Sequence, residues 1–188
     1  LLWVWLLLSQ TLDKPYNKVQ AKFPKLNKAK CKKCGLCSKN CYSKAIFQAP
    51  GEYPVFLEEL CSGCSLCWNI CPYQAIEVKE KLIGQIFVNK IDDNFYLLTG
   101  QTVGVVDESG PIVTDTKVRA NNLAKKVKAD YLLIDTAAGA HCDVIRALMG
   151  SDLAYGVTEP TMLGAHDLDL SLQLLKILKV ESQIIVNQ

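Results

Sequence analysis

The chain has 188 residues, of which 49% are hydrophobic, enough to bury a sizeable core. Its formal charge of +2 hides an asymmetry: residues 1–50 hold ten lysines against one acid, Asp13, and the remainder holds eleven bases against eighteen acids. No window reaches eighteen apolar residues, so a membrane-spanning helix is not expected.

The opening Leu1–Leu8 segment is strongly apolar. It is too short to span a bilayer and has neither a basic flank nor a small-residue cleavage site, so a buried strand or helix end is expected. The start at Leu1 and the strand-like run at the other end suggest a fragment. Lys22–Lys33 is basic, but it lacks the aromatic spacing of a single-strand binder and any helix-turn-helix pattern. A solvated lysine face or a docking patch for an acidic redox partner is the better reading, and no nucleic-acid partner is expected.

Eight of the nine cysteines follow in two identical runs. They are Cys31-x-x-Cys34-x-x-Cys37-x-x-x-Cys41 and Cys61-x-x-Cys64-x-x-Cys67-x-x-x-Cys71, the second continuing into Pro72 where the first has Tyr42. At the same offset of thirty residues Leu36 matches Leu66, Ala45 matches Ala75 and Ile46 matches Ile76. Each run reads as a ligand loop, a short helical turn ending near the fourth cysteine, and a brief strand. The strands are expected at Ala45–Gln48 and Ala75–Val78, with Pro54–Leu57 returning between them. Gly35 and Gly63 let backbone amides turn toward sulfur. A four-thiolate zinc site has no use for the third Cys-x-x step written twice, and disulfides suit a small secreted scaffold, which nothing here marks.

The spacing resembles that of bacterial-type ferredoxins, in which each run gives three thiolates to one cubane cluster and its fourth to the other. The resemblance implies two 4Fe-4S clusters. One would sit on Cys31, Cys34, Cys37 and Cys71, and the other on Cys61, Cys64, Cys67 and Cys41. Two oxidised cubanes with their thiolates add about four negative charges, which would make the loaded protein mildly acidic.

From about residue 81 the pattern changes to alternating strands and helices. Leu82–Val88 and Phe95–Leu98 read as strands joined by a turn at residues 91–94, and Lys117–Lys128 as a polar surface helix. Tyr131–Ile134, Leu153–Val157 and Gln183–Val186 look like buried parallel strands, separated by helices at about Cys142–Met149 and His166–Leu178. Strand–helix–strand units of this length imply crossovers and a doubly wound α/β sheet, with ligands beyond the carboxyl ends of the strands. The strand at Tyr131–Ile134 delivers Asp135 and, four residues later, Gly139, a Walker-B-type arrangement. Its carboxylate can reach a magnesium ion and its glycine a terminal phosphate. Solubility and helix capping are the plain alternatives for Asp135.

The stretch from Leu6 to Gln188 resembles the MinD/Mrp-type P-loop ATPases with an inserted ferredoxin domain, relatives of ParA and the nitrogenase iron protein. The carrying segments are Phe23-Pro24-Lys25-Leu26, the double cysteine run, residues 131–142, Val157-Thr158-Glu159-Pro160-Thr161, residues 163–168 and Val186-Asn187. The resemblance implies a partial P-loop NTPase-like parallel sheet with an inserted α+β ferredoxin domain. Residues 1–26 would be a remnant of the P-loop domain, 27–80 the dicluster domain, and 81–188 the later part of the P-loop domain. It also implies ATP and Mg²⁺ as ligands of the intact parent, with Asp135 as catalytic acid, Gly139 facing the terminal phosphate and Asn187 contacting adenine. The family's Lys-Gly-Gly-x-Gly-Lys-Thr loop is absent from these residues, so this stretch by itself is not expected to hydrolyse ATP.

Other residues have plain readings. Cys142, beside His141, is packing at a helix start; Asp167 is a capping residue; Trp68 shields a cluster from water; and Glu159-Pro160 shapes its loop. Three functions stay open: electron transfer coupled to a nucleotide-driven change, delivery of clusters to apo iron–sulfur proteins in the Mrp manner, and a dicluster carrier on a vestigial nucleotide fold. A cytoplasmic setting and redox partner proteins are expected, with a homodimer as a further implication of the resemblance.

Overall fold

The computed structural model describes residues 15–104 and 109–187; the Leu1–Leu8 segment, expected as a strand or helix end, lies outside them. The chain divides into two compact units, Leu1–Ile112 and Val113–Gln188.

The first unit is built on an antiparallel sheet in the order β1-β4-β5, from Asn17–Leu26, Ile76–Lys90 and Tyr96–Thr102. Pro24 is tolerated within β1 because that strand lies at the sheet edge, where one N–H fewer breaks no ladder on the outer side. The strands expected at Ala75–Val78 and Leu82–Val88 are one continuous element, since β1 pairs along β4 from Leu26↔Ile76 to Asn17↔Ile86 and leaves no break between them. The domain boundary expected between residues 80 and 81 thus falls inside β4. The turn expected at residues 91–94 is present, tied by Asn94 N donating to Asp92 Oδ1 at 2.7 Å.

The register shifts where Val19 faces Gly84 and Gln20 faces Leu82, so Ile83 is an extra residue on β4. That bulge resets the alternation of side chains. It lets Ile83 and Ile86, three apart, join Val19, Phe23 and Ile112 in one buried cluster. Gly84 sits under this cluster, where a Cβ would lie 2.5 Å from Ile112 Cδ1 and 2.9 Å from the Gln101 carbonyl oxygen.

Between β1 and β4 run two short helices, α1 (Leu36–Lys39) and α2 (Leu66–Asn69), and a two-stranded antiparallel sheet of β2 (Ile46–Phe47) and β3 (Val55–Phe56). The helical turns fall where the cysteine runs predict them.

The polar helix expected from Lys117 begins earlier, as α3 (Gly110–Val127). Lys117 Nζ donates to the carbonyls of Ala147 and Met149 at the end of α4 (Cys142–Leu148), where a cation meets the negative end of a helix. Its burial there lowers its pKa. In the second unit β6 (Leu153–Thr158) and β7 (Glu181–Val186) pair in parallel from Leu153↔Glu181 to Thr158↔Val186, joined by α5 (Met162–Leu178). Two of the three expected parallel strands are therefore present, but neither is buried as expected: β7 is exposed along its length and β6 alternates between exposed and half-buried residues. The third, Tyr131–Ile134, is not a strand, and Tyr131 and Leu133 are 86% and 88% exposed. Apolar, β-branched composition favours a strand only where a neighbour takes up its backbone groups, and the described residues pair β6 with β7 alone in this unit. The fold is mixed α/β with small, mostly antiparallel sheets; a doubly wound parallel sheet is not seen among the described residues.

The start of α5 is a second correction. It is capped by Thr161, whose Oγ1 accepts from Gly164 N at 3.0 Å, so Asp167 lies inside the helix and does not cap it. The helix starts four residues earlier than expected, at Met162 and not His166, because Thr161 follows Pro160 and ends the extended loop first. A Cβ on Gly164 would stand 2.6 Å from the Glu159 carbonyl oxygen. Gly164→Ala is therefore expected to destabilise the chain by about 1–3 kcal/mol despite alanine's better helix propensity, read as a lowered thermal midpoint. An unchanged midpoint would mean that the 158–161 loop yields freely.

Candidate metal centre

The thirty-residue repeat in sequence is a repeat in backbone. Lys33 and Gly63, Gly35 and Ser65, and Lys44 and Gln74 each stand thirty apart, and all six have left-handed φ, from 47° to 79°. Four of the six carry side chains, so the loop conformation is not left to glycine. Gly63 has a second reason to lack a side chain, since a Cβ would lie 3.2 Å from the Lys22 carbonyl oxygen.

Pairing between the halves follows the same offset. Leu26 at the entrance to the first run pairs with Ile76 at the exit of the second, and Phe56 at the entrance to the second pairs with Ile46 at the exit of the first. Asn27 N donates to the Ala75 carbonyl and Leu57 N to the Ala45 carbonyl, both at 2.8 Å. Ala45, Ala75, Ile46 and Ile76 are buried at these crossings. Each half is closed by a strand of the other, which carries its fourth cysteine across.

Two cavities result. The first is lined by Cys31, Cys34, Cys37 and Cys71, with Leu26, Leu36, Pro54 and Ile76 among its apolar walls. The second is lined by Cys61, Cys64, Cys67 and Cys41, with Pro24, Ile46, Phe56 and Leu66 in the equivalent places. Trp68 lines the second cavity half-buried, in line with a shielding role, and has Ser38 as its counterpart thirty residues earlier.

Backbone amides reach the sulfurs: Lys33 N to Cys31 Sγ and Ala75 N to Cys71 Sγ, each at 3.4 Å. Burial raises the thiol pKa of Cys37 and Cys61, and pushes that of Cys67 up to about 12, with the neighbouring Cys61 adding to it. As free thiols these are poor nucleophiles; a bound metal would hold them as thiolates. Cys34 and Cys64 are the exposed members of the two sets. Among the described residues no three His, Cys, Asp or Glu side chains converge closely enough to hold a single metal ion.

Sequence reasoning missed the acid at the edge of the second cavity. Glu58 is held by Lys79 and by Lys81, the latter at 3.1 Å, and these ammonium groups lower its pKa. Its signal was the run of β4 beyond Val78, which carries Lys79 and Lys81 to Glu58 and was invisible while Ala75–Val78 was read as a short strand.

None of the three nucleotide-site candidates lines either cavity. Asp135 is exposed in the irregular segment after Ile134, and Gly139 has φ +95° four residues on, against the His141 ring. Asn187 is exposed after β7, where its N–H donates to the Thr158 carbonyl at 2.8 Å. Cys142 opens α4 and is exposed, so the packing role expected of it is not seen. No helix among the described residues is long and apolar enough to cross a membrane.

Comparison with known proteins bears on the cysteine centre first. Residues 24–78 match a family described as the 4Fe-4S dicluster domain. Pyruvate synthase subunit PorD of Thermotoga maritima is 43% identical over 58 residues, which are 31% of this chain and 59% of that protein. Uncharacterized protein MJ0579 of Methanocaldococcus jannaschii is 36% identical over 138 residues, 73% of this chain and 48% of that protein. Uncharacterized protein MJ0578 of the same organism is 32% identical over 158 residues, 84% of this chain and 53% of that protein. The chain thus spans about half the length of the relatives it matches. Its residues 24–78 are an iron–sulfur domain of ferredoxin type.

Proposed function

We propose that the chain carries electrons one at a time through two 4Fe-4S clusters. Cys31, Cys34, Cys37 and Cys71 would hold the first, and Cys61, Cys64, Cys67 and Cys41 the second. The observation that carries this reading is the sorting of eight thiols into two sets of four, each completed by the fourth cysteine of the other half. Zinc fits less well. A four-thiolate zinc site has no use for the third Cys-x-x step, which this chain carries twice. When bound, the clusters supply reversible one-electron chemistry. The chain's own part is to lend amide hydrogen bonds to the sulfurs of Cys31 and Cys71, to keep water off with Leu26, Ile76, Ile46 and Phe56, and to leave Cys34 and Cys64 near the surface. The likeness to a pyruvate synthase subunit supports a redox enzyme as partner.

Anaerobic reconstitution tests this directly. Near eight irons per chain, visible iron–sulfur absorption and a reducible EPR signal are expected, following from two 4Fe-4S clusters. About two zinc ions per chain with no such absorption would overturn it.

A second reading concerns the parent protein. The parallel β6–α5–β7 crossover is the feature that favours a nucleotide-binding α/β unit of the MinD/Mrp kind. Asp135 would then hold Mg²⁺, Gly139 approach the terminal phosphate and Asn187 contact the adenine of ATP, in a cytoplasmic, dimeric ATPase whose clusters serve as relay or as cargo. ATP binding by a longer form that includes a Gly-Lys-Thr loop, lost on Asp135→Ala, is the corresponding test.

A further inference from the structure

The two halves that share a backbone differ sharply in charge. The first carries Lys28, Lys30, Lys32, Lys33, Lys39 and Lys44; thirty residues on stand Glu58, Leu60, Ser62, Gly63, Asn69 and Gln74. Not one of the six lysines has a basic counterpart. Lys32 and Lys33 line the first cavity beside the exposed Cys34, whereas Ser62, Ser65 and Glu58 line the second. Lys28, Lys30, Lys32, Lys39 and Lys44 are exposed, and none forms an ion pair among the described residues. Lys33 is half-buried, its Nζ donating to the Gly51 carbonyl at 2.8 Å and lying 4.4 Å from the centre of the Tyr53 ring. Glu52 is the nearby acid in sequence, and it pairs with none of them. Of the other described lysines of this unit, Lys79 and Lys81 hold Glu58 and Lys90 pairs with Asp93, while Lys22 and Lys25 stand opposite Glu80 and Glu77, and Lys18 opposite Gln85, in the β1–β4 register.

A fold that needs only a backbone repeat has no structural use for six cations on one half. Apart from Lys33, and Lys28 whose ammonium lies 5.8 Å from the centre of the Tyr53 ring, they stand solvated and repel one another. Their field does two things instead. It draws an anionic surface to the exposed edge of the first cavity, and it favours the more negative, reduced state of a cluster held there. We propose that the first cavity is the port through which the chain exchanges one electron with an acidic partner protein. The electron passes between the cluster on Cys31, Cys34, Cys37 and Cys71 and the partner's redox centre, one being oxidised as the other is reduced. This rests on the two-cluster reading above.

The test uses the reconstituted full chain with Lys28, Lys32, Lys39 and Lys44 all changed to Gln, which leaves Lys33 on Gly51. A control changes Lys125, Lys126, Lys128 and Lys176, four exposed lysines elsewhere, to Gln and so removes the same net charge. Reduced protein is oxidised by hexacyanoferrate(III), an anionic one-electron acceptor, and by hexaammineruthenium(III), a cationic one. At about 10 mM ionic strength the first variant should react with hexacyanoferrate about tenfold or more slowly, the gap closing near 0.5 M salt. Its rate with the ruthenium complex should not fall, and the control should change less than twofold. The reduction potential of one cluster, and not both, should also fall in the first variant. An equal fall in both variants, or no fall in either, overturns the port. Loss of capture by duplex DNA with an unchanged hexacyanoferrate rate would make the patch a nucleic-acid surface and overturn it too. Normal iron content with either of those results refutes the port alone; an unmodified chain that takes up no iron refutes the electron-transfer reading and the port together.

Discussion

Cys71→Ala is expected to remove the cluster whose other three ligands lie forty, thirty-seven and thirty-four residues earlier, and to leave the nearer one standing. The chain should keep about four irons of eight, with half the visible absorption and one EPR-active centre. Proximity along the chain argues the opposite, since Cys71 follows Cys61, Cys64 and Cys67 directly. The strand crossing decides it: Ile76 pairs with Leu26, and Cys71 faces the cavity of Cys31, Cys34 and Cys37. Cys41→Ala should give the mirror result, because Ile46 pairs with Phe56 and Cys41 lines the other cavity. The two single variants can be told apart by Trp68, which lines only the second cavity and whose fluorescence an iron–sulfur cluster would quench. Cys71→Ala should leave that fluorescence dark and Cys41→Ala should release it. The reverse assignment would break the crossing.

Why this much was legible follows from what each residue type demands. Cluster chemistry requires thiolates at fixed intervals, so the spacing of eight cysteines carries the site almost by itself. Left-handed residues at thirty-residue offsets show why the intervals hold: the loops are backbone repeats, with Lys33 taking the conformation that Gly63 takes. Glycine was visible as a signal for that turn, but Lys33, Lys44 and Gln74 in the same conformation were not. Local chemistry cannot mark a strained residue that the surrounding loop compels.

Strand identity was harder, because it depends on neighbours. Ala75–Val78 and Leu82–Val88 looked like two strands separated by charged residues, yet Lys79, Lys81 and Glu80 lie on one strand facing β1. Tyr131–Ile134 was apolar enough for a buried strand but has no partner among the described residues. Conversely β6 and β7 were found in sequence because apolar runs flank a helix with Leu168, Leu172 and Leu175 on one face. The cap of α5 went astray for a smaller reason: Thr161 and Asp167 are both good caps, and only the path of the chain after Pro160 chooses between them. Resemblance to a nucleotide-binding family assigned Asp135, Gly139 and Asn187 their roles, and Asp135 and Asn187, both exposed, and Gly139, half-buried, bear no trace of a phosphate cradle beyond the positive φ of Gly139.

Ile86→Ala should unfold the first unit more readily than any other single truncation in it. Ile86 is fully buried (0% exposed) on the central strand, paired with Gly100 on one side and Asn17 on the other, and packed with Val19, Phe23, Ile83 and Ile112. Strands hydrogen-bonded on both edges cannot slide to fill a lost side chain, so the cavity persists. The expected cost is about 2–5 kcal/mol, a large share of the roughly 5–15 kcal/mol that holds a domain together. A thermal midpoint lower by about 10 °C or more should result. The effect extends to the metal centre, because β4 runs unbroken from Ile86 to Ile76, which walls the first cavity, and the same strand pairs with Leu26 on its other side. Clusters bound only by the folded chain stabilise it by mass action, so the loaded variant should tolerate heat better than its iron-free form. Chelation of iron from Ile86→Ala should accordingly run faster than from the unaltered chain, and the cluster on Cys31, Cys34, Cys37 and Cys71 should be lost first. A midpoint within 2 °C of the unaltered chain, about half a kcal/mol or less by the same scaling, would show that the core is centred elsewhere and that the sheet does not brace the cysteine loops.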